Sequence, residues 1–410
     1  MDYRLITKKI FDTKLIALFS NGETLDLTKF LRLSRIEMDF SNYVMPYYRF
    51  ILKLPKTFIL KINTDRDKVV FSFSSNFITT NAESKGLSLP FHEEIILKPL
   101  MDLNNPIDFT DSVINKGDKT SKEIKLDRYE FVAISEEVAK SNKPVTSGIY
   151  NNCTLSDVIC DLTSNLKNRD VYLHPIDNKK VYEQIITLPS NVYNNIKFLD
   201  KVYGLYNRET KIFNNINKLN ILPMSGFDSS KVGGINIDVL FNSNSPDTYN
   251  IEGSYSEKMD NDKNIYNKNI ATQIHNVSLI DNTRLYTELF GTEINLFGVD
   301  NESGTKIKNY KKEKKDRNGN INKVRVLEDV YDNEYNLKNN LNRKEEVLLK
   351  LQLNDIDLNF DDLFKEFKIV FHNDYYSNYN GKYEILSINQ DFVRGKEAYA
   401  IKNNITLRKI

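Results

Sequence analysis

Cysteine is almost absent from this chain of 410 residues. Cys153 and Cys160 are the two it has, and a helix between them would hold their Cα atoms about 10 Å apart, beyond the roughly 7 Å that a disulfide spans. With His174 as the nearest imidazole, a zinc site has too few ligands close by. Both are read as reduced packing residues, which points to intracellular synthesis. Net charge is nearly absent too. The 57 Lys and Arg residues face 56 Asp and Glu, a formal +1, so no general attraction for nucleic acid or anionic lipid is supported. No apolar run approaches the ~18 residues of a membrane span, and Met1–Ser20 carries no signal-peptide pattern.

Chemistry-bearing motifs are missing as well. His92, His174, His275 and His372 are scattered without metal-ligand spacing and are read as packing or surface residues. There is no Gly-x-Ser-x-Gly elbow, no P-loop and no dinucleotide fingerprint. Paired carboxylates among 56 acids nominate no glycosidase pair. Asp355–Glu366 imitates a calcium loop, but its sixth position is Phe360 where a sharp turn needs Gly. Ile356, Leu358 and Phe360 alternate instead, as in a strand end that leads into a helix start. Asp260, Asp262 and Asn264 fail in the same way at Ile265 and are read as a solvated loop. No catalytic, cofactor-binding or metal-binding residue is assigned.

What is present is ordinary globular composition, 40% apolar and 28% charged, which excludes collagen-like and wholly disordered chains. At roughly 150 residues per domain, the length allows two to four domains. Residues 1–150 read as β-rich. Leu15–Ser20 runs into Asn21-Gly22, a strong hairpin signal, and runs at 50–63, limited by Pro55, then Val69–Phe73 and Glu94–Lys98 continue the pattern. Tyr129–Ser141 fits a strand or a helix.

Residues 151–228 read as a helix–strand–helix–strand module. Thr154 and Asp157 form a capping-box pattern ahead of an apolar stripe at Leu155, Val158, Ile159, Leu162 and Leu166. A strand pattern at Val171–His174 ends at Pro175, and Tyr182–Pro189 follows. Ser190 is placed to cap a second helix with core residues Val192, Ile196, Leu199 and Tyr203, stopped by Gly204. Lys211–Phe213 and Leu219–Pro223 return as strand.

Residues 229–410 read as β-rich again. Strands are expected at Ile235–Phe241, Gln273–Ile280, Ile294–Val299, Val347–Leu353, Phe367–His372, Lys382–Phe392 and Ala398–Arg408, with a polar stretch to about Ala271. The basic stretch at about 305–325 contains Tyr310 but no regular stacking platform, so it reads as an exposed hairpin with its tip near Asn318-Gly319.

Taken together, these patterns carry a resemblance. Thr154–Ile159, Tyr182–Pro189, Asn195–Asp200 and Tyr203–Tyr206 resemble the central module of baseplate hub proteins of contractile-tailed phages and related injection particles (late control protein D-like). Phe371–Asn373, Asn380–Ile385 and Ser387–Phe392 are similar to the end of the family's tube-like domain. The resemblance implies an α+β, β-rich fold, with two tube-type antiparallel β-barrel domains flanking the smaller module. It implies a non-enzymatic homotrimer without cofactors that joins a hexameric tail tube to a trimeric spike. The tail tube protein, the central spike protein and other baseplate proteins or the tape measure are the implied partners, within the tail baseplate of a virion assembled in the host cytoplasm. Sequence-specific nucleic-acid binding and membrane insertion are not expected. Subunit contacts are expected at edge strands near Ile235–Phe241 and Val347–Leu353 and at the basic hairpin. The alternatives are another tail component (a tube initiator or distal tail protein) or a cell-wall-binding module.

Overall fold

The computed structural model of the chain describes residues 8–40, 44–55, 62–78, 91–103, 126–141, 143–144, 147–164, 166, 170–215, 218–223, 234–241, 255–260, 265–282, 293–299, 307–313, 347–356, 358, 362–395 and 399–410. Strands dominate. The first, β1 (Lys8–Leu18), folds back onto β2 (Thr24–Asp26) through Asn21-Gly22. Gly22 takes φ +86° there, and Asn21 Oδ1 accepts the Glu23 amide at 3.0 Å, as a turn of this kind requires. Then come β3 (Leu31–Asp39), β4 (Tyr47–Pro55), β5 (Lys68–Ile78), β6 (Phe91–Leu103) and β7 (Leu126–Ser135). Strand β4 stops at Pro55, which has no amide to continue a ladder. The ambiguous segment 129–141 is both things in turn: β7 to Ser135, then α1 (Glu136–Ser141).

The module follows as β8 (Ile149–Thr154), α2 (Leu155–Ser164), β9 (Asp170–Leu173), β10 (Val181–Ile186), α3 (Val192–Tyr203), β11 (Thr210–Asn214) and β12 (Lys218–Pro223). The capping box forms as expected: the Thr154 amide donates to Asp157 Oδ2 at 2.9 Å, and the Asp157 amide donates to Thr154 Oγ1 at 3.3 Å. The start of α3 corrects the expectation. Asn191 is the cap, its Oδ1 accepting the Asn194 amide at 2.8 Å, while Ser190 lies one residue outside. Ser190 Oγ instead accepts from Asn194 Nδ2 at 3.1 Å. Asn191→Ala should therefore cost about 1 kcal/mol in chemical denaturation, against a few tenths for Ser190→Ala. The expected stripe is buried at Val192, Ile196 and Leu199 and half-buried at Tyr203, and Gly204 ends the helix at φ +72°.

The rest is β13 (Gly234–Leu240), β14 (Tyr255–Asp260), β15 (Ile265–Gln273), β16 (Val277–Asp281), β17 (Glu293–Val299), β18 (Ile307–Glu313), β19 (Val347–Asn354), β20 (Glu366–Phe371), β21 (Gly381–Arg394) and β22 (Tyr399–Lys409). The stretch expected to be only polar thus holds β14 and most of β15. Lys308–Glu313 of the basic stretch is strand, β18, paired back onto β17, while the expected tip at Asn318-Gly319 lies outside the described residues.

One long pairing path joins most strands: β14-β15-β13-β20-β21-β3-β4-β7-β6-β5-β1-β22-β19-β16. Because β21 also pairs with β22 along most of its length, the strands β21, β3, β4, β7, β6, β5, β1 and β22 close a circuit. Every pairing in that circuit is antiparallel, and its last joint, β1 with β22, is the single pair Phe11–Tyr399. Outside the circuit, β13 runs parallel to both β15 and β20, a departure from the all-antiparallel expectation.

The same path corrects the expected edges. Strand β13 lies between β15 and β20, and β19 lies between β22 and β16, so both are interior. Their alternating apolar residues reported which side is buried but not who the neighbours are. Inside the circuit, Phe50, Phe71, Phe73, Phe131 and Phe392 pack with ring centroids 5.1–5.6 Å apart for the nearest pairs. The module has its own core, built on α2, α3 and the strands β9 to β12. Its hairpin β11–β12 also lends Phe213 and Leu222 to the large core, where the Phe213 ring meets Phe40 at 4.6 Å.

Candidate functional site

The sequence features weighed for chemistry that fall on described residues lie in separate parts of the fold. Among the described residues, no group of three or more His, Cys, Asp or Glu is placed to hold a metal ion. In the calcium-like stretch, Ile356 and Leu358 are buried apolar residues. The Asp362 carboxylate is occupied by ammonium groups, Lys268 Nζ at 2.6 Å and Lys365 Nζ at 3.1 Å. Burial pushes the Asp362 carboxyl up, but the two lysines outweigh it and hold it below the ordinary range. Asp260 ends β14, and Asp262 and Asn264 lie outside the described residues.

The histidines lie apart. His92 is on β6, and His174 packs its ring edge-on to Tyr206 at 6.0 Å. His275 sits in a short turn before β16, and His372 Nε2 lies 2.9 Å from Asp238 Oδ1. Cys153 and Cys160 are free, and burial pushes the Cys153 thiol up, away from a reactive thiolate. No described helix is long and apolar enough to cross a membrane.

What the strands assemble is a set of surfaces. On the outer side of the circuit, Arg35 binds both oxygens of Asp391, with Nη2 to Oδ2 at 3.0 Å. Arg49 reaches Glu37 at 3.1 Å and Glu130 at 2.8 Å. The register explains this: Asp391 faces Arg35 across β21–β3, and Arg35 faces Arg49 across β3–β4. Beside this charged band, Ser278, Lys350, Thr406 and Ser387 follow one another across β16, β19, β22 and β21. They line an open groove of about 370 Å³ with Gln352, Asn389 and Asn404. Its lining is polar and contains Lys350 and His275 but no acid.

Two exposed apolar features stand out elsewhere. Ile149 and Ile186 oppose each other across β8–β10 with 64% and 50% exposure, and Tyr375 is 82% exposed on the turn Asp374–Tyr379. Two buried charge clusters were missed in the sequence: Lys268 with Asp362, and Lys211 near Glu384, Glu209 and Arg408. Lysine ordinarily reads as a solvated residue, so no local signal marked either one. Among the described residues these are exposed surfaces and buried ion clusters.

The family described as bacteriophage PBS1 gene 109 protein matches residues 1–410. The chain belongs to that family. The PBS1 gene 109 family member is also similar to solved structures. A tail protein from Neisseria meningitidis MC58 shares the fold with a TM-score of 0.50 and 9% identity, over 96% of each chain. The 43 kDa tail protein of prophage MuSo2 from Shewanella oneidensis has a TM-score of 0.46 and 8% identity, over 97% of this chain and 96% of its own. A Francisella PdpA–VgrG complex gives 0.47 and 13%, over 100% of this chain and 59% of the other. No curated protein sequence matches. The gene 109 family member is thus a bacteriophage-family chain with a β-rich α+β fold that a solved tail protein shares, and the resemblance read from its residues holds at that level.

Proposed function

We propose that the chain is the hub of a phage tail baseplate, a homotrimeric adaptor between a hexameric tail tube and a trimeric spike. One observation carries the reading: the long sheet has an eight-strand closed circuit at one part and an open path at the other, both built on the shared hairpin β21–β22. Two β-rich parts per chain, three chains per ring, would present six similar units to a sixfold tube. Among the described residues β14 and β16 are the two ends of the path, each paired on one side, and these replace β13 and β19 as candidate subunit contacts. The domain reading that goes with this is 1–150 and 229–410 as tube-like parts around a module at 151–228. Tube, spike and other baseplate proteins or tape measure are the partners, the location is the virion tail, and the work is done by interfaces, with no turnover.

Light scattering after size exclusion tests this. The monomer mass is 47.8 kDa, and a hub is expected at about three times that value, alone or with a co-expressed spike. A tube initiator would run as a hexamer instead. A monomer under both conditions sinks the hub reading.

A further inference from the structure

Lys211 stands where a lysine is least expected, in the joint between the module and the large sheet. It comes from β11, is 3% exposed, and donates one hydrogen bond, to the Ile385 carbonyl at 3.3 Å. Its ammonium otherwise faces two aromatic rings, Phe40 at 4.5 Å and Phe364 at 5.8 Å. The void beside it, about 10 Å³, leaves no room for bulk hydration.

The charged groups around it come from every neighbouring element. Glu384 lies on β21, Arg408 on β22 and Glu209 just before β11, while Lys365, Glu366 and Tyr383 line the same void. Arg408 holds one oxygen of each acid, Glu384 Oε1 at 2.6 Å and Glu209 Oε2 at 3.2 Å, while Glu384 Oε2 is buried without a hydrogen bond. Lys211 therefore carries its charge next to the pair without contact pairing. The same joint is made of Phe213 against Phe40, and of Asn214 Nδ2 donating to the Val44 carbonyl at 3.0 Å.

We propose that this joint is a proton-sensitive contact: a charged Lys211 holds the module loosely on the sheet, and loss of its proton tightens the seat. A neutral amine keeps the hydrogen bond to Ile385 and sheds the cost of an unsolvated charge, with cation–π attraction to Phe40 and Phe364 offsetting only part of that cost. Burial lowers the Lys211 pKa from 10.5 to about 8, so the unfolded chain binds more protons between these values and stability rises with pH there. This inference does not depend on the hub reading.

Urea unfolding of the full chain at pH 7 to 9.5 tests it, with Lys211→Met and Lys211→Arg alongside. Wild type should gain roughly 25-fold in its folding equilibrium constant across that range relative to Lys211→Met, as one linked proton requires. Using the variant as reference removes the contribution of Lys409, whose pKa burial also lowers. Hydrogen exchange at Ile212 and Phe213, corrected for intrinsic rate, should slow with pH relative to exchange at Phe50 and Phe71. Parallel profiles for wild type and Lys211→Met, or unchanged relative exchange, overturn the proposal. If Lys211→Met does not fold, Lys211→Arg decides: it stays charged, and its profile must lack the wild-type rise.

Discussion

Asp362→Asn is expected to lower stability by about 3–5 kcal/mol, read from the midpoint of urea unfolding with an unchanged slope. Asp362 is 1% exposed and Lys268, 2.6 Å away, is 3% exposed, so both charges have left water and depend on each other. An amide of the same shape takes the carboxylate charge away from the buried Lys268 ammonium and from Lys365. That cost is a desolvation cost and greatly exceeds the worth of a surface pair, which is about 0–1 kcal/mol. The contact ties β15 to the turn Asp362–Phe364, two segments far apart in sequence. A loss below about 1 kcal/mol would mean that Lys268 finds water, and the buried pair would not be structural. The sign on acidification follows from the lowered Asp362 pKa: its contribution is present above the ordinary carboxylate value of 3.8 and is lost as pH falls through the folded value. The variant should therefore lose less stability on acidification than wild type does.

Phe71→Ala should cost a similar amount, about 3–5 kcal/mol, by a different mechanism. Phe71 is fully buried on β5, and its ring meets Phe50 at 5.1 Å, Phe73 at 5.6 Å, and Tyr48 and Phe392 at 6.3 Å each. Removing it leaves a cavity bounded by strands on opposite sides of the circuit, which backbone pairing keeps from collapsing. Thermal unfolding by far-UV circular dichroism should show a large drop in Tm, and Phe71→Leu should recover part of it. The half-buried neighbour Val70 provides the control, since its truncation removes less buried area. If both variants shift Tm equally, the aromatic cluster is not the centre of the fold.

Local chemistry was readable wherever one short segment contained its own reason. Asn21-Gly22 turns because Gly22 takes positive φ without strain and Asn21 Oδ1 accepts the Glu23 amide. Thr154 and Asp157 satisfy each other's amides across three residues, and Gly204 ends α3 as a left-handed stop. The two-period alternation of β19 and β22, where strands were expected, marked their buried sides, whereas β3 was not read as a strand. Even a failure was local: whether Ser190 or Asn191 caps α3 turns on one residue of register.

Partnership was another matter. Ser387 pairs with Asp39 and Phe11 with Tyr399, contacts across almost the whole chain, and nothing in either segment names the other. Alternation says which side of a strand is dry, and many neighbours can keep it dry, so β13 and β19 read as edges although they are interior. Lys211 shows the same limit for a single side chain. The tripeptide Lys211-Ile-Phe213 looks like a strand with one solvated end, yet packing of β11 between two cores buries the ammonium. The sequence by itself determined the Asn21-Gly22 turn, the capping box of α2, the β-rich class and the absence of any recognisable catalytic motif, because those depend on neighbours a few residues away. Only the tertiary structure decided which strands are edges, how the circuit closes and which charges are buried, because those depend on packing between segments that chain order does not bring together.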